Sequence, residues 1–163
     1  MTPVNDYFSG EKTQCLIGIV LGLISIAVAI YSLIQLQTEL YKGIAYPFLI
    51  ISVLLIIICA GVVWRTPRDI ARVNQFVQQE PEKIHTEEIP RMKAVMKNFK
   101  IIKIVEACLF VIALGIILYA SSKNKDLLKG IGLGLAIQSA IMYGFDYFAH
   151  ARGKIYWEFL QSL

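Results

Sequence analysis

Cysteine and histidine are scarce in this chain of 163 residues, with three of the first and two of the second. There is no C-x-x-C pair, and Cys15, Cys59 and Cys108 each fall at or inside a long apolar run. A thiol so placed behaves as a small apolar packing residue, so the cysteines say little about redox compartment. His85 and His150 are too few and too scattered for a metal site, and no cofactor is expected. His85-x-x-Glu88 is one turn of helix, a spacing common by chance. G-x-S-x-G, P-loop and dinucleotide fingerprints are also missing. The glycines Gly130, Gly132 and Gly134 follow no strand and lead into an apolar run, where small residues serve packing. Charge is sparse, at 17% against about a quarter in soluble domains. Aromatic and basic residues are not interleaved, so no nucleic-acid partner is expected.

What the chain has instead is apolar sequence: 56% of its residues are hydrophobic and the mean hydropathy is +0.60. They form four blocks of membrane length, at 16–36, 44–64, 101–120 and 131–149. About 20 residues at 1.5 Å each cross roughly 30 Å of hydrocarbon. Inside lipid the backbone must satisfy itself, so such blocks must be helices. Buried helices of a soluble protein keep a polar face, whereas 44–64 carries no charge at all. The expected fold is an all-α integral membrane protein, a single domain built as a four-transmembrane-helix bundle, with the lipid bilayer as first partner. Ala27 to Ala29 resemble a signal-cleavage site. The stretch before them holds Asp6, Glu11 and only Lys12, the wrong bias for a leader, so a retained span is expected.

Basic residues set orientation. The N-terminus, the middle connection and the tail hold twelve Lys and Arg; the two other connections hold four. Both termini and 66–98 are therefore expected in the cytoplasm, with the bacterial inner membrane as the location. The excess positive charge also suits contact of the middle segment with anionic lipid. Within that segment Thr66-Pro67 reads as an N-cap with proline at the first helical position. Glu80-Pro81 and Pro90 each restart the chain. Ile70, Val73, Phe76 and Val77, then Ile89, Met92, Val95, Met96 and Phe99, form apolar stripes of amphipathic helices, as do Ile155, Phe159 and Leu163 in the tail 150–163. These are expected to pack on one another beneath the bundle, or to offer a partner a surface.

Two hexamers, ELYKGI at 39–44 and DLLKGI at 126–131, lie 87 positions apart. At that offset Ile50 meets Ile137, Ser52 meets Ser139 and Arg65 meets Arg152. Each hexamer opens a returning span, where its glycine would give the turn backbone freedom. This points to a duplicated helical hairpin, 2+2, related by an axis along the membrane normal; convergent loop chemistry is the alternative.

Small residues mark helix contacts. Gly18, Gly22, Ser25, Ala29 and Ser32 recur at 4-3-4-3, and Gly132, Ala136, Ala140 and Gly144 recur every four. The ionisable residues gather near one end of the spans: Arg65, Lys103, Glu106, Asp146, His150 and Arg152. Charge in a span is costly and marks function by default. At this shallow depth the expectation is an ion-pair collar that locks helix ends, with a proton or cation relay through Glu106, Asp146 and His150 as the alternative. The functional expectation is a non-enzymatic polytopic protein acting through helix–helix or protein–protein interaction, as a homo-oligomer or with a membrane or cytoplasmic partner. Next comes an oligomeric channel or small transporter, its shared pore lined by Ser25 and Ser32 or by Gln138 and Ser139. A membrane-embedded enzyme is third, with only Glu106, Asp146, His150 and Tyr143 to supply a reactive cluster.

Overall fold

The computed structural model describes residues 3–163. Four helices account for most of them: α1 (Pro3–Tyr31), α2 (Glu39–Gln79), α3 (Ile89–Ser122) and α4 (Asp126–Gln161). No strand occurs among the described residues. A π-helical turn, Ser32–Leu36, extends α1, and a second, Ile84–Glu88, leads into α3. All four helices are long and apolar enough to cross a membrane.

The helices outrun their apolar blocks. At 41 residues, α2 is about 60 Å long, twice the thickness of a bilayer core. The expected break at Thr66-Pro67 does not occur, because both residues lie inside α2. Pro67 supplies no N–H to the preceding turn. Thr66 is buried, and its hydroxyl donates to the Val62 carbonyl at 2.7 Å, bracing that turn. The tail is likewise no separate helix but the last turns of α4, since nothing at 149–150 stops a helix. Glu80-Pro81 does end α2, and Pro90 sits in the first turn of α3, where a missing N–H costs nothing.

The helix ends beyond the apolar blocks pack into a layer with its own core. Val4 and Phe8 of α1, Val73 and Phe76 of α2, Met92 of α3 and Leu160 of α4 are buried together there. Tyr7 stacks on Tyr156 with ring centroids 4.4 Å apart. The stripes of α2 and α3 face this core as expected, but the tail turns a different face: Ile155 and Leu163 are exposed, and Tyr156 and Leu160 are buried in their place. The contribution of α1 is not legible in the sequence. Its start is polar on average, with Asn5, Asp6, Ser9 and Glu11 among the apolar residues.

Both termini and the α2–α3 connection thus lie at one end of the bundle, and the turns at 37–38 and 123–125 at the other. α2 and α4 run parallel and form the centre; α1 packs on α2, and α3 on α4. The turn glycines do not serve as expected. No glycine has a positive φ; the left-handed residues are Gln37 (φ 48°) and Asn124 (φ 51°). Gly43 and Gly130 instead let α2 and α4 touch backbone to backbone. A Cβ on Gly43 would sit 2.2 Å from the Leu127 carbonyl oxygen, and one on Gly130 would sit 2.0 Å from that of Leu40. The contact is reciprocal: each glycine faces the residue three positions before the other.

The small-residue seam of α1 faces α2. Gly18 lies against Cys59 and Gly22 against Ile56 and the Ser52 carbonyl; Ala29 and Ser32 are buried. On α4 the row that approaches α2 is Gly130 and Gly134, not the expected Gly132 row. Gly132 faces α3, against Ala113 and Ile117, with Ala136 buried one turn on. Ala140 is exposed, and a Cβ on Gly144 would meet nothing within 4 Å. The expected stripe is therefore a packing seam in its first half only.

Candidate functional site

The polar residues gather where the apolar bundle meets the helical layer, and the structure divides the expected collar into three parts. Arg65 leaves Glu106 and Asp146 alone and turns to α1, at 3.4 Å from Glu11, and to Asp69 at 3.7 Å. Arg152 also turns to α1, donating to the side-chain oxygen of Gln14. Gln14 in turn donates to the Phe145 carbonyl at 2.6 Å. Two arginines at corresponding places on α2 and α4 thus converge on one helix, because α1 contacts both at this end.

Lys103 forms the second part. Its ammonium lies 2.8 Å from Nδ1 of His150. An ammonium only donates, so Nδ1 must accept and the ring proton sits on Nε2. That Nε2 is buried without a hydrogen-bond partner.

The third part is the carboxyl pair. Glu106 is buried, and its carboxyl group interacts with that of Asp146 across the α3–α4 contact. Neither forms an ion pair among the described residues, and Oε2 of Glu106 is buried without a partner. The expected collar of carboxylates locked by arginine and lysine is therefore corrected. Two acids on facing helices meet each other, and the bases find other partners first. Among the described residues no cation holds either carboxyl group in place. Replacing one by its amide should then be tolerated: Asp146→Asn is expected to leave the thermal midpoint in detergent unchanged or slightly higher. A clear fall in that midpoint would restore the ion-pair collar.

The residues expected along a pore are placed inside the single chain. Gln138 and Ser139 are buried between helices, with the Gln138 amide 3.4 Å from the Ser52 hydroxyl. Ser32 is buried, its hydroxyl donating to Val28 at 2.8 Å. Ser25 is half-buried on the seam that packs against α2. Among these only the Gln138–Ser52 contact joins two helices; the Ser32 bond stays within its own turn, and the Ser139 hydroxyl is buried without a partner.

A second polar node went unread in the sequence. Glu88, 1% exposed, accepts from Nε and Nη2 of Arg91 at 2.8 and 2.6 Å and from the Tyr156 hydroxyl at 2.8 Å. Arg72 stands 3.7 Å away. Burial, reinforced by the Glu88 charge, pushes the Tyr156 hydroxyl well above the usual phenol range, so it stays a donor. Arg91 also lies over the Phe8 ring, 5.7 Å from its centroid. The node ties α4, α3, α2 and α1 together at the centre of the layer. Only the Glu88-x-x-Arg91 spacing hinted at it, and that is an everyday helical pair.

Comparison with known protein families, with curated proteins and with solved structures finds no match to this chain. Its class rests on its own architecture. The chain is an all-helical protein whose four long apolar helices fit an integral membrane protein, with a helical layer built from their ends.

Proposed function

We propose that this chain is a non-enzymatic polytopic membrane protein that serves as an assembly, accessory or regulatory subunit. Its helical layer is the docking platform. The observation that carries this reading is the layer itself: all four helices leave the apolar bundle unbroken and close over one core pinned by Glu88. Such a platform is rigid and presents charge outward. On α3, Lys93, Lys97 and Lys100 are exposed at steps of four and three, on one face. That face suits an acidic protein surface or anionic lipid headgroups. Both termini and the layer are assigned to the cytoplasm of a bacterial inner membrane, on the twelve-to-four distribution of basic residues.

The orientation is tested by thiol labelling of Gln78→Cys and Lys123→Cys, with the native cysteines replaced by alanine. Both positions are exposed. An impermeant maleimide added to intact cells should label position 123 alone, and labelling of position 78 would reverse the assignment. Photocrosslinking from position 97 in native membranes tests the platform, with a cross-link to a discrete second protein expected.

The second reading, a proton or cation pathway, draws on the unpartnered Glu106 Oε2 and His150 Nε2 atoms. It is tested in liposomes. The purified chain is expected to carry no such flux; a flux that disappears in a folded Glu106→Gln variant would put the pathway first.

We also propose that the chain is a duplicated hairpin. Support comes from three correspondences at the offset of 87: the left-handed Gln37 and Asn124, the helix-opening bonds from Lys42 to Thr38 and from Lys129 to Lys125, both 3.0 Å, and the reciprocal Gly43–Gly130 contact. The correspondence ends at the layer, where Arg65 and Arg152 both reach α1.

A further inference from the structure

We infer that the cleft between α1 and α4 is a binding site for one anionic phospholipid, its phosphate at Arg152 and an acyl chain along the apolar part. The inference rests on the chain spanning a membrane, as proposed above. The cleft encloses about 700 Å³. Its walls are two rows of residues spaced one turn apart: Ser9, Thr13 and Ile17 on α1, and Ala140, Gly144 and Phe148 on α4. The cleft is open where Ala140 and Gly144 leave one wall almost without side chains. A Cβ added at Gly144 would meet nothing within 4 Å, whereas on the same helix Gly130, Gly132 and Gly134 are pressed against neighbours.

The cleft also changes character along its length. Ile17, Ile141 and Phe145 line the part inside the apolar blocks; Ser9, Gln14 and Arg152 line the part at the layer. That division matches the step from hydrocarbon to headgroup. At the polar end Arg152 makes no ion pair among the described residues. It donates to the neutral Gln14 amide, and its buried Nε has no partner. A phosphodiester supplies the missing countercharge in the geometry a guanidinium suits. A second copy of the chain would have to bring a free carboxylate to this level. Glu11, Asp69 and Glu88 are already in ion pairs and Glu106 and Asp146 face each other. Asp6, Glu82 and Glu87 are exposed outside any ion pair among the described residues, and the oligomeric state of Gly144→Leu tests whether a second copy uses them.

The test is native mass spectrometry of the full chain in mild detergent, titrated with phosphatidylglycerol and with phosphatidylcholine. One phosphatidylglycerol should be retained per chain. Its preference over phosphatidylcholine should be about fivefold, the contribution of one basic residue near the headgroups. Gly144→Leu projects into the cleft from a position where a Cβ meets nothing within 4 Å, so it should keep the thermal midpoint in lipid-free detergent and lose the one-to-one adduct. Arg152→Gln should keep an adduct and lose the headgroup preference, and Arg152→Lys should retain most of it. Millimolar inorganic phosphate should not displace the lipid. An undiminished adduct in Gly144→Leu, or a preference that survives Arg152→Gln, would overturn the site. Displacement by inorganic phosphate would make the ligand an anion and not a lipid. Loss of a dimer from Gly144→Leu would mean that a second copy covers the cleft. Failure of the membrane reading itself has a separate signature, recovery of the chain in the soluble fraction without detergent.

Discussion

Gly130→Ala should be the most damaging single-methyl substitution in this protein, with Gly43→Ala close behind. Each would place a Cβ about 2 Å from a carbonyl oxygen of the facing helix, where no side chain can swing aside. The helices must separate, and with them the reciprocal contact that holds α2 against α4. The cost of overpacking at a yielding site is about 1–3 kcal/mol; against backbone it should reach about 3 kcal/mol or more at each glycine, by the same principle. Thermal unfolding in detergent, followed by size-exclusion recovery, measures it. Gly61→Ala and Gly115→Ala are the controls, because a Cβ at either would meet nothing within 4 Å. They should be neutral or stabilising by up to about 1 kcal/mol, the intrinsic preference of a helix for alanine. Equal effects at all four positions would show that α2 and α4 do not cross at Gly43 and Gly130.

The second large effect is expected at the buried node of the layer. Arg91→Ala leaves Glu88, 1% exposed, without its bidentate partner. Breaking a buried pair from one side costs about 3–5 kcal/mol. Arg91 itself is a quarter exposed, so the lower end of that range is expected. Tyr156→Phe removes one donor to a charged acceptor and should cost about 1.5–3 kcal/mol. The triple variant Glu88→Met, Arg91→Met, Tyr156→Phe replaces the node by apolar side chains of similar size and should recover most of the stability. Chemical denaturation of the detergent-solubilised protein gives the three values. If the triple variant is as unstable as Arg91→Ala alone, the layer depends on the polarity of the node and not on filling its volume.

The comparison with the sequence turns on where the helices stop. The apolar blocks located the four helices, and Pro81 and Pro90 marked the α2–α3 connection. Thr66-Pro67 carried the same local signal as a helix start yet lies mid-helix. A cap signal shows only that a break is tolerated, and the core beneath Val73 and Phe76 favours running straight on. The small residues were legible as contacts but not as partners. Gly130, Gly132 and Gly134 look alike in sequence; only the position of α4 between α2 and α3 sends the first and third one way and the second another. The carboxyl pair was misread for a related reason. Depth along a helix placed Glu106 and Asp146 near Arg65 and Arg152 without saying which of them touch. The placement of α1 against both α2 and α4 decides whom the arginines meet.

The sequence by itself determined the helical class of the protein: four apolar runs of membrane length read as helices, and their number and spacing dictate two helical hairpins joined by a polar segment. Those are consequences of backbone hydrogen bonding and hydrophobicity, which act along the chain. Tertiary structure alone decided the parallel α2–α4 centre, the pairing of Glu106 with Asp146 and the burial of Glu88. It also decided the open cleft beside Arg152. Each depends on the rotation and tilt of one helix against another, and a shift of one residue in that packing would give the same sequence different neighbours.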